Sequence, residues 1–294
     1  MRAVIQVCNK EHKENALNFI DEILFLKICG KILLAYYFDF LYQLGIKEVF
    51  IASNDPLDLK KKLNTIDTLN FEITFIKSYS SEKSYLRNFD IFKDEELIII
   101  ENFGFIKNNF NLIDNTFFNS SQNTLFRDKS FKIFYIKNHL KNININTFKQ
   151  KNVLHLKEMT SVEDYFHISN LIFKNLNDKY FLLGYNNEKG ILIGKNVEIE
   201  SGCELIAPVI IMDNVKVCEN SKIGPNTVLN PNVFIQSHCE ITNSIVYDNT
   251  YINKNLKFDE KLILANAIVD KNNKKVYNID KKFVSSNSLH LLNL

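Results

Sequence analysis

Aliphatic side chains recur at every sixth residue through the last third of the chain: Ile193, Ile199, Leu205, Ile211, Val217, Ile223, Leu229, Ile235 and Ile241. Four positions after each stands a small or β-branched residue: Val197, Cys203, Val209, Val215, Ser221, Thr227, Val233, Cys239 and Ile245. A helix repeats about every 3.6 residues and a strand every two, so neither gives a period of six. A triangular coil does, because each flat side takes six residues and turns one aliphatic side chain toward the axis. The nine in-phase hexads predict three turns of a left-handed parallel β-helix. After a one-residue slip, Ile252, Phe258 and Leu264 predict a fourth. Asn196, Gly202, Asn214, Asn220, Asn226 and Asn232 fall at the corners, where the chain must turn.

The first half follows other periods. Ala3-Val4-Ile5 predicts a buried opening strand. Leu34, Tyr37, Phe38, Leu41 and Leu44 form a helical stripe that stops at Gly45. "KEVFIAS" and "FEITFI" predict strands, with Asp55-Pro56 between them as a cap and first helical residue. A helix is expected around Ser84–Phe92, then the almost wholly apolar strand "ELIIIE". Apolar strands alternating with helices predict a parallel, doubly wound α/β sheet. From Lys107 to Lys151 the pattern weakens into short strands rich in Asn and Phe. "SVEDYFHISNLIFKNL" predicts a helix joining two domains, with Ser161 as N-cap and Asp164 in the first turn. The expected division is an α/β domain over 1–155, a linker helix and connection over 156–189, and the β-helix with its C-terminal cap over 190–294. The terminal "KKFVSSNSLHLLNL" is expected either to cap the coil or to dock on a partner chain.

Composition narrows the chemistry. At 294 residues the chain is long enough for two cores. A net charge of +2 with 24% charged residues leaves no footprint for nucleic acid. Cys8, Cys29, Cys203, Cys218 and Cys239 are odd in number and lack zinc spacing, which predicts reduced thiols in a cytoplasmic protein. No signal peptide and no apolar run long enough to span a membrane is visible.

A doubly wound domain followed by a left-handed β-helix resembles the sugar-1-phosphate nucleotidyltransferases, the NDP-sugar pyrophosphorylases. The likeness is local in "RAVI", "CGKILLAYYFDFLYQLGIKEVFIAS" and "TSVEDY", and the hexads ending "NSIVYDNTYINKNLKF" look like the β-helix of bacterial surface-polysaccharide members. The resemblance implies a Rossmann-like domain in which a sugar phosphate attacks the α-phosphorus of a nucleoside triphosphate. A glycine-rich loop and basic groups would hold the phosphates and a carboxylate would hold Mg²⁺.

Residue by residue, the family's chemistry is missing. Cys8 and Asn9 stand at the first two glycines of its G-G-x-G-T-R loop, Glu11 at the third, and Lys13 at the arginine. Side chains there fill space that phosphate needs, and lysine lacks the bidentate fork of arginine. Glu22-Ile23-Leu24 replaces P-K-P, while Gly30 and Lys31 match the turn into the next helix. Ser81-Glu82-Lys83-Ser84 replaces a G-T-A-G loop. Asn102-Phe103 occupies the end of the N-G-D motif, so Phe103 stands at the metal-binding aspartate, and Glu158 is what remains of a second acidic position. Only 56 residues separate Asn102 from Met159, a short substrate half.

These departures predict a non-catalytic subunit, scaffold or sensor of nucleotide-sugar or surface-polysaccharide biosynthesis, with no catalytic residues, no metal site and no cofactor. Cys8, Asn9, Lys13, Lys31, Asn102 and Glu158 are the degenerate binding positions for a nucleotide or NDP-sugar. Self-association, or a partner subunit, is expected through a flank of the β-helix. Two alternatives stay open. One is an active nucleotidyltransferase with a rebuilt site, using Lys10, Lys13 or Lys27 on phosphate and Glu101 or Glu158 on Mg²⁺. The other is a hexapeptide-repeat acyltransferase with His238 as base, although no loop interrupts the hexads from Ile193 to Ile241. His12 and Cys8 have no third member to orient them as a catalytic pair.

Overall fold

The computed structural model describes residues 1–7, 23–63, 71–77, 92, 96–102, 104–106, 123–129, 131–137, 148–152, 156–159, 161–174, 186–272, 276–278 and 283–286. They form two compact units. The first holds Met1–Phe25 and Leu33–Thr160, and the second holds Leu26–Ile32 and Ser161–Leu294.

In chain order the elements are β1 (Arg2–Gln6), a hairpin of β2 (Lys27–Ile28) and β3 (Lys31–Ile32), α1 (Leu33–Gln43), β4 (Glu48–Ser53), α2 (Pro56–Leu63), β5 (Glu72–Lys77) and β6 (Leu97–Glu101). There follow β7 (Gly104–Ile106), β8 (Thr124–Asp128), β9 (Phe131–Ile136), β10 (Lys149–Asn152), β11 (Leu156–Glu158) and α3 (Val162–Phe173). The sheet of the first unit has the order β10-β8-β9-β6-β1-β4-β5. β6, β1, β4 and β5 run parallel, the doubly wound arrangement that the sequence predicts. Beyond β6 the direction reverses: β9 pairs antiparallel with both β6 and β8. β1 and β6 are buried on both faces, which explains their unbroken apolar runs. Residues predicted as a helix around Ser84–Phe92 lie outside the described residues, apart from Phe92.

Local signals behave as their chemistry requires. α1 ends before Gly45, whose φ of 71° is open to glycine at little cost. The Asp58 amide donates to Asp55 Oδ1 at 3.1 Å, capping α2. Ser161 and Asp164 form a reciprocal capping box at the start of α3.

The second unit is a parallel β coil whose three sides form three ladders, a left-handed β-helix. Successive turns pair at an interval of 18 residues, as in Ile193↔Ile211, Val217↔Ile235 and Ile223↔Ile241. The axial aliphatics interlock in one core of Ile211, Val217, Ile223, Leu229, Ile235 and Ile241. The slip comes earlier than the hexad count suggests. Leu229 pairs with Val246 and Val246 with Ile263, an interval of 17. Val246 and Ile263 therefore face the axis, in place of the expected in-phase Leu264. Ile245 leaves the column, and Ser244 takes the small-residue position beside Thr227. The cause is two corners each shortened by one residue: Asn243 replaces the longer Gly224-Pro225-Asn226 turn, and Glu260, at φ 53°, makes the equivalent short corner one turn later.

All six predicted corner residues have positive φ, between 52° and 74°. Along one edge their amides stack: Asn196 donates to Asn214 at 3.2 Å, Asn214 to Asn232 at 3.0 Å, and Asn232 to Asn249 at 2.9 Å. At another edge a Cβ on Gly202 would fall 2.3 Å from Asn220 Oδ1, so that corner admits no side chain without movement. The last turn is closed by antiparallel strands. Ala267–Asp270 pairs with Lys261–Leu264, and Val284–Ser286 pairs with Thr250–Ile252 and buries Val284 in the core. Part of the predicted cap thus covers its own coil; residues 287–294 lie outside the described residues.

One side of the coil is buried from outside as well. Leu192, Ile210, Val228, Ile245 and Leu262 face outward there and are at most 2% exposed. α3 and the β2–β3 hairpin reach this side: Lys27 Nζ contacts Asp248 at 2.9 Å, and the Tyr165 hydroxyl donates to the Lys27 carbonyl.

Asn214→Ala removes two ladder bonds and puts a Cβ-restricted residue at φ 58°. It should destabilise the coil by about 1–2 kcal/mol in chemical denaturation. Asn214→Gly loses the bonds but keeps the backbone freedom, so it should cost less than half as much.

Candidate functional site

In open parallel sheets, ligands bind at the carboxyl ends of the strands, where the order reverses. Here that point lies between β1 and β6, which end side by side at Gln6 and Glu101. Ala52 and Ser53 end the neighbouring β4. Gln6 and Glu101 are 3% and 6% exposed. Among the described residues Gln6 Oε1 is buried without a hydrogen-bond partner, an arrangement that costs about 1–3 kcal/mol unless a donor is supplied.

The two carboxylates of the site already have cations. Glu101 Oε2 lies 3.2 Å from Lys132 Nζ on β9. Glu158 Oε2, on β11, lies 3.8 Å from Lys129 Nζ, and the Glu158 amide donates to Asp128 Oδ2 at 2.9 Å. Between β6 and β7 the chain passes through Asn102 with φ 64° and on to Gly104, which pairs with Glu158. Gly104 is fixed by Tyr37, whose hydroxyl donates to its carbonyl at 2.7 Å and accepts from its amide at 3.2 Å. A Cβ on Gly104 would sit 2.4 Å from the Phe131 ring and 2.7 Å from the Lys157 carbonyl. Burial pushes the Tyr37 phenol well above its ordinary range, so it remains protonated as a donor.

The turn thus places Asn102 two residues before Gly104, the strand partner of Glu158 in the first unit. Lys31 stands on β3, in the second unit. Cys8, Asn9, Lys13, Lys10, Glu11, His12 and Phe103 lie outside the described residues, as do Glu22 and Ser81–Ser84. Mg²⁺ takes one or two carboxylates with waters and phosphate oxygens around it. Lysine ammonium groups already sit against both carboxylates, and no group of three His, Cys, Asp or Glu converges among the described residues. The described residues do not fit a Mg²⁺ site. What they offer is hydrogen bonding: a buried unmatched acceptor, a serine, and two paired carboxylates.

Sequence reasoning passed over Gln6 and Lys132. Both could have been noticed as the polar residue inside an otherwise apolar strand, "AVIQV" and "FKIFYI". Lys27, considered above for phosphate, instead joins Asp248 in the second unit. His238 sits exposed at a coil corner with φ 60°. Cys29, in the β2–β3 turn, donates to the Ser169 carbonyl at 3.8 Å, and burial pushes its thiol up to about 12.

Residues 205–284 match a family model described as the GMPPB C-terminal domain. The match runs from the first turn of the coil to the strand that closes it. It is consistent with the fold of the sugar-1-phosphate nucleotidyltransferases: a mixed α/β domain followed by a left-handed hexapeptide-repeat β-helix. None of the curated proteins compared with the chain matches it. No helix among the described residues is long and apolar enough to cross a membrane.

Two outcomes are expected. Lys132→Met leaves Glu101 buried beside an apolar side chain and should destabilise the first unit by about 1–3 kcal/mol, given that Lys132 is partly exposed. Glu101→Gln in the same chain should recover most of that loss in a double-mutant cycle. Because its thiolate forms only near pH 12 in the fold, Cys29 should resist iodoacetamide at pH 8 and react once denatured, as read by peptide mass spectrometry.

Proposed function

We propose that this chain is a nucleotidyltransferase-like protein of nucleotide-sugar or surface-polysaccharide biosynthesis that binds a nucleotide or NDP-sugar without transferring a nucleotidyl group. The observation that carries this reading is the turn after β6. Its backbone keeps the left-handed residue, Asn102 at φ 64°, where the family has the glycine of N-G-D. The next residue, which would present the metal-binding carboxylate, is Phe103. A left-handed turn at this position, with no carboxylate after it, supports a site that is shaped for a ligand but lacks the metal-binding group. Losing one preorganised electrostatic contact typically costs about 2.7–4 kcal/mol of barrier, and several are replaced here. Gln6 Oε1 retains the capacity to accept from a ligand hydroxyl or amino group.

In this reading the chain serves as a sensor, scaffold or subunit in the cytoplasm, a setting supported by free Cys29, Cys203, Cys218 and Cys239. A partner subunit or second copy meets one flank of the β-helix. Phe234 and Tyr251 stack on that flank's outer face at 5.6 Å, the feature of the coil best suited to an apolar contact.

A specific observation favours a second reading, an active enzyme with a rebuilt site: Glu101 and Glu158 are both buried at the strand ends. A thermal-shift series of NDP-sugars and nucleoside triphosphates, with and without Mg²⁺, separates the two. A ligand at 100 times its Kd stabilises the fold by about 2.7 kcal/mol. The expected result is a Mg²⁺-independent shift with an NDP-sugar and no pyrophosphate release. A Mg²⁺-dependent shift with a triphosphate, accompanied by pyrophosphate, would establish the active enzyme instead.

A further inference from the structure

Within the second unit a cleft of about 620 Å³ opens between the C-terminal half of α3 and one corner of the coil. The geometry points to a binding site here for a small phosphorylated molecule. The site is separate from the sheet of the first unit and independent of how that sheet is read.

Spacing along α3 builds one wall. His167, Asn170, Leu171 and Lys174 stand at intervals of three and four, so they share a face of the helix. The opposite wall is coil: Lys189 and Gly190 from the turn before Ile191–Ile193, Ala207-Pro208 from the next turn, and Asn226 from the one after. Backbone bonds tie these turns together, with the Val209 amide donating to the Gly190 carbonyl at 3.0 Å. That wall is therefore preformed.

The charge on the lining has one sign. His167, Lys174 and Lys189 are basic, and among the described residues no Asp or Glu lines the cleft. Glu188 is exposed beside Lys189 but takes no part in the lining. Among the described residues none of the three basic groups forms an ion pair, whereas Lys216, Lys222 and Lys257 on the open faces of the coil are all paired with glutamates. One lysine comes from each wall, so a single dianionic group in the cleft can take charge-assisted bonds from both sides. Leu171, Phe173 and Pro208 add apolar surface to the two walls, and Asn170 adds an amide. Phosphate for the lysines, an uncharged body for the apolar surface and hydroxyls for the amide describe a sugar phosphate. The volume lies within the range of small-ligand pockets.

Calorimetric titration of the full chain with glucose 1-phosphate, at low salt, tests the assignment. Saturable binding is expected, with none for glucose. Lys174→Gln with Lys189→Gln should weaken it about tenfold or more, and Lys254→Gln, an exposed lysine elsewhere on the coil, should leave it unchanged. Asn170→Asp, which adds a carboxylate to the wall while keeping both lysines, should weaken it to a similar extent. Melting temperatures within a degree or so of the parent would show that the exposed substitutions left the fold intact. No binding by the parent chain, or equal affinity in the double variant, would overturn the assignment.

Discussion

The coil depends on one backbone requirement: at nearly every corner a residue must enter the left-handed region so that the next flat side can begin. An ordinary L-residue pays about 1–2 kcal/mol for that conformation. The chain answers with asparagine or glycine at nearly every corner, and the asparagine amides then bond to one another along an edge. Once the corners hold, every flat side is in register with the one a turn below, and each axial aliphatic lands on its neighbour. The core of the second unit follows from corners that lie outside it. The shift from an 18-residue to a 17-residue turn shows the same dependence. Shortening one corner moved the axial position from Tyr247 to Val246 without breaking the column.

The coil's outward-facing apolar row creates a second requirement, because a sheet with two apolar faces needs two cores. α3 covers part of it, and the hairpin of Leu26–Ile32 is recruited from near the chain's start. Lys27 is held at both ends: its ammonium reaches Asp248, its carbonyl accepts from Tyr165, and its backbone also bonds Tyr247. Burial and the Asp248 charge push the Tyr247 phenol up to about 12, which keeps it neutral. A lysine that sequence alone offers as a phosphate ligand thus has a structural task.

The first unit is framed by its backbone. Its strand order, the left-handed residue after β6 and the tyrosine-pinned glycine together set the turn from β6 to β7. These are backbone features, held by packing and hydrogen bonds that do not depend on a ligand. The two buried carboxylates at the strand ends, Glu101 and Glu158, are each matched by a lysine from the same unit. Such pairing offsets part of the cost of burying them.

By itself the sequence determined what repeats or is local. The hexads, the corner asparagines, the helix caps at Asp55 and Ser161, and the buried strands were legible because period and residue type act within a few residues. That Phe103 follows Asn102, with no carboxylate at either position, was legible too, since residue type needs no coordinates to see. Only the tertiary structure decided the partners of Glu101, Glu158 and Lys27, the reversal of strand direction at β9, and the assignment of the hairpin to the coil. The same holds for the meeting of α3 with the Ala207-Pro208 corner. Those outcomes depend on contacts between residues far apart in the chain, where packing and charge neutralisation select the partner and no short-range pattern records the choice.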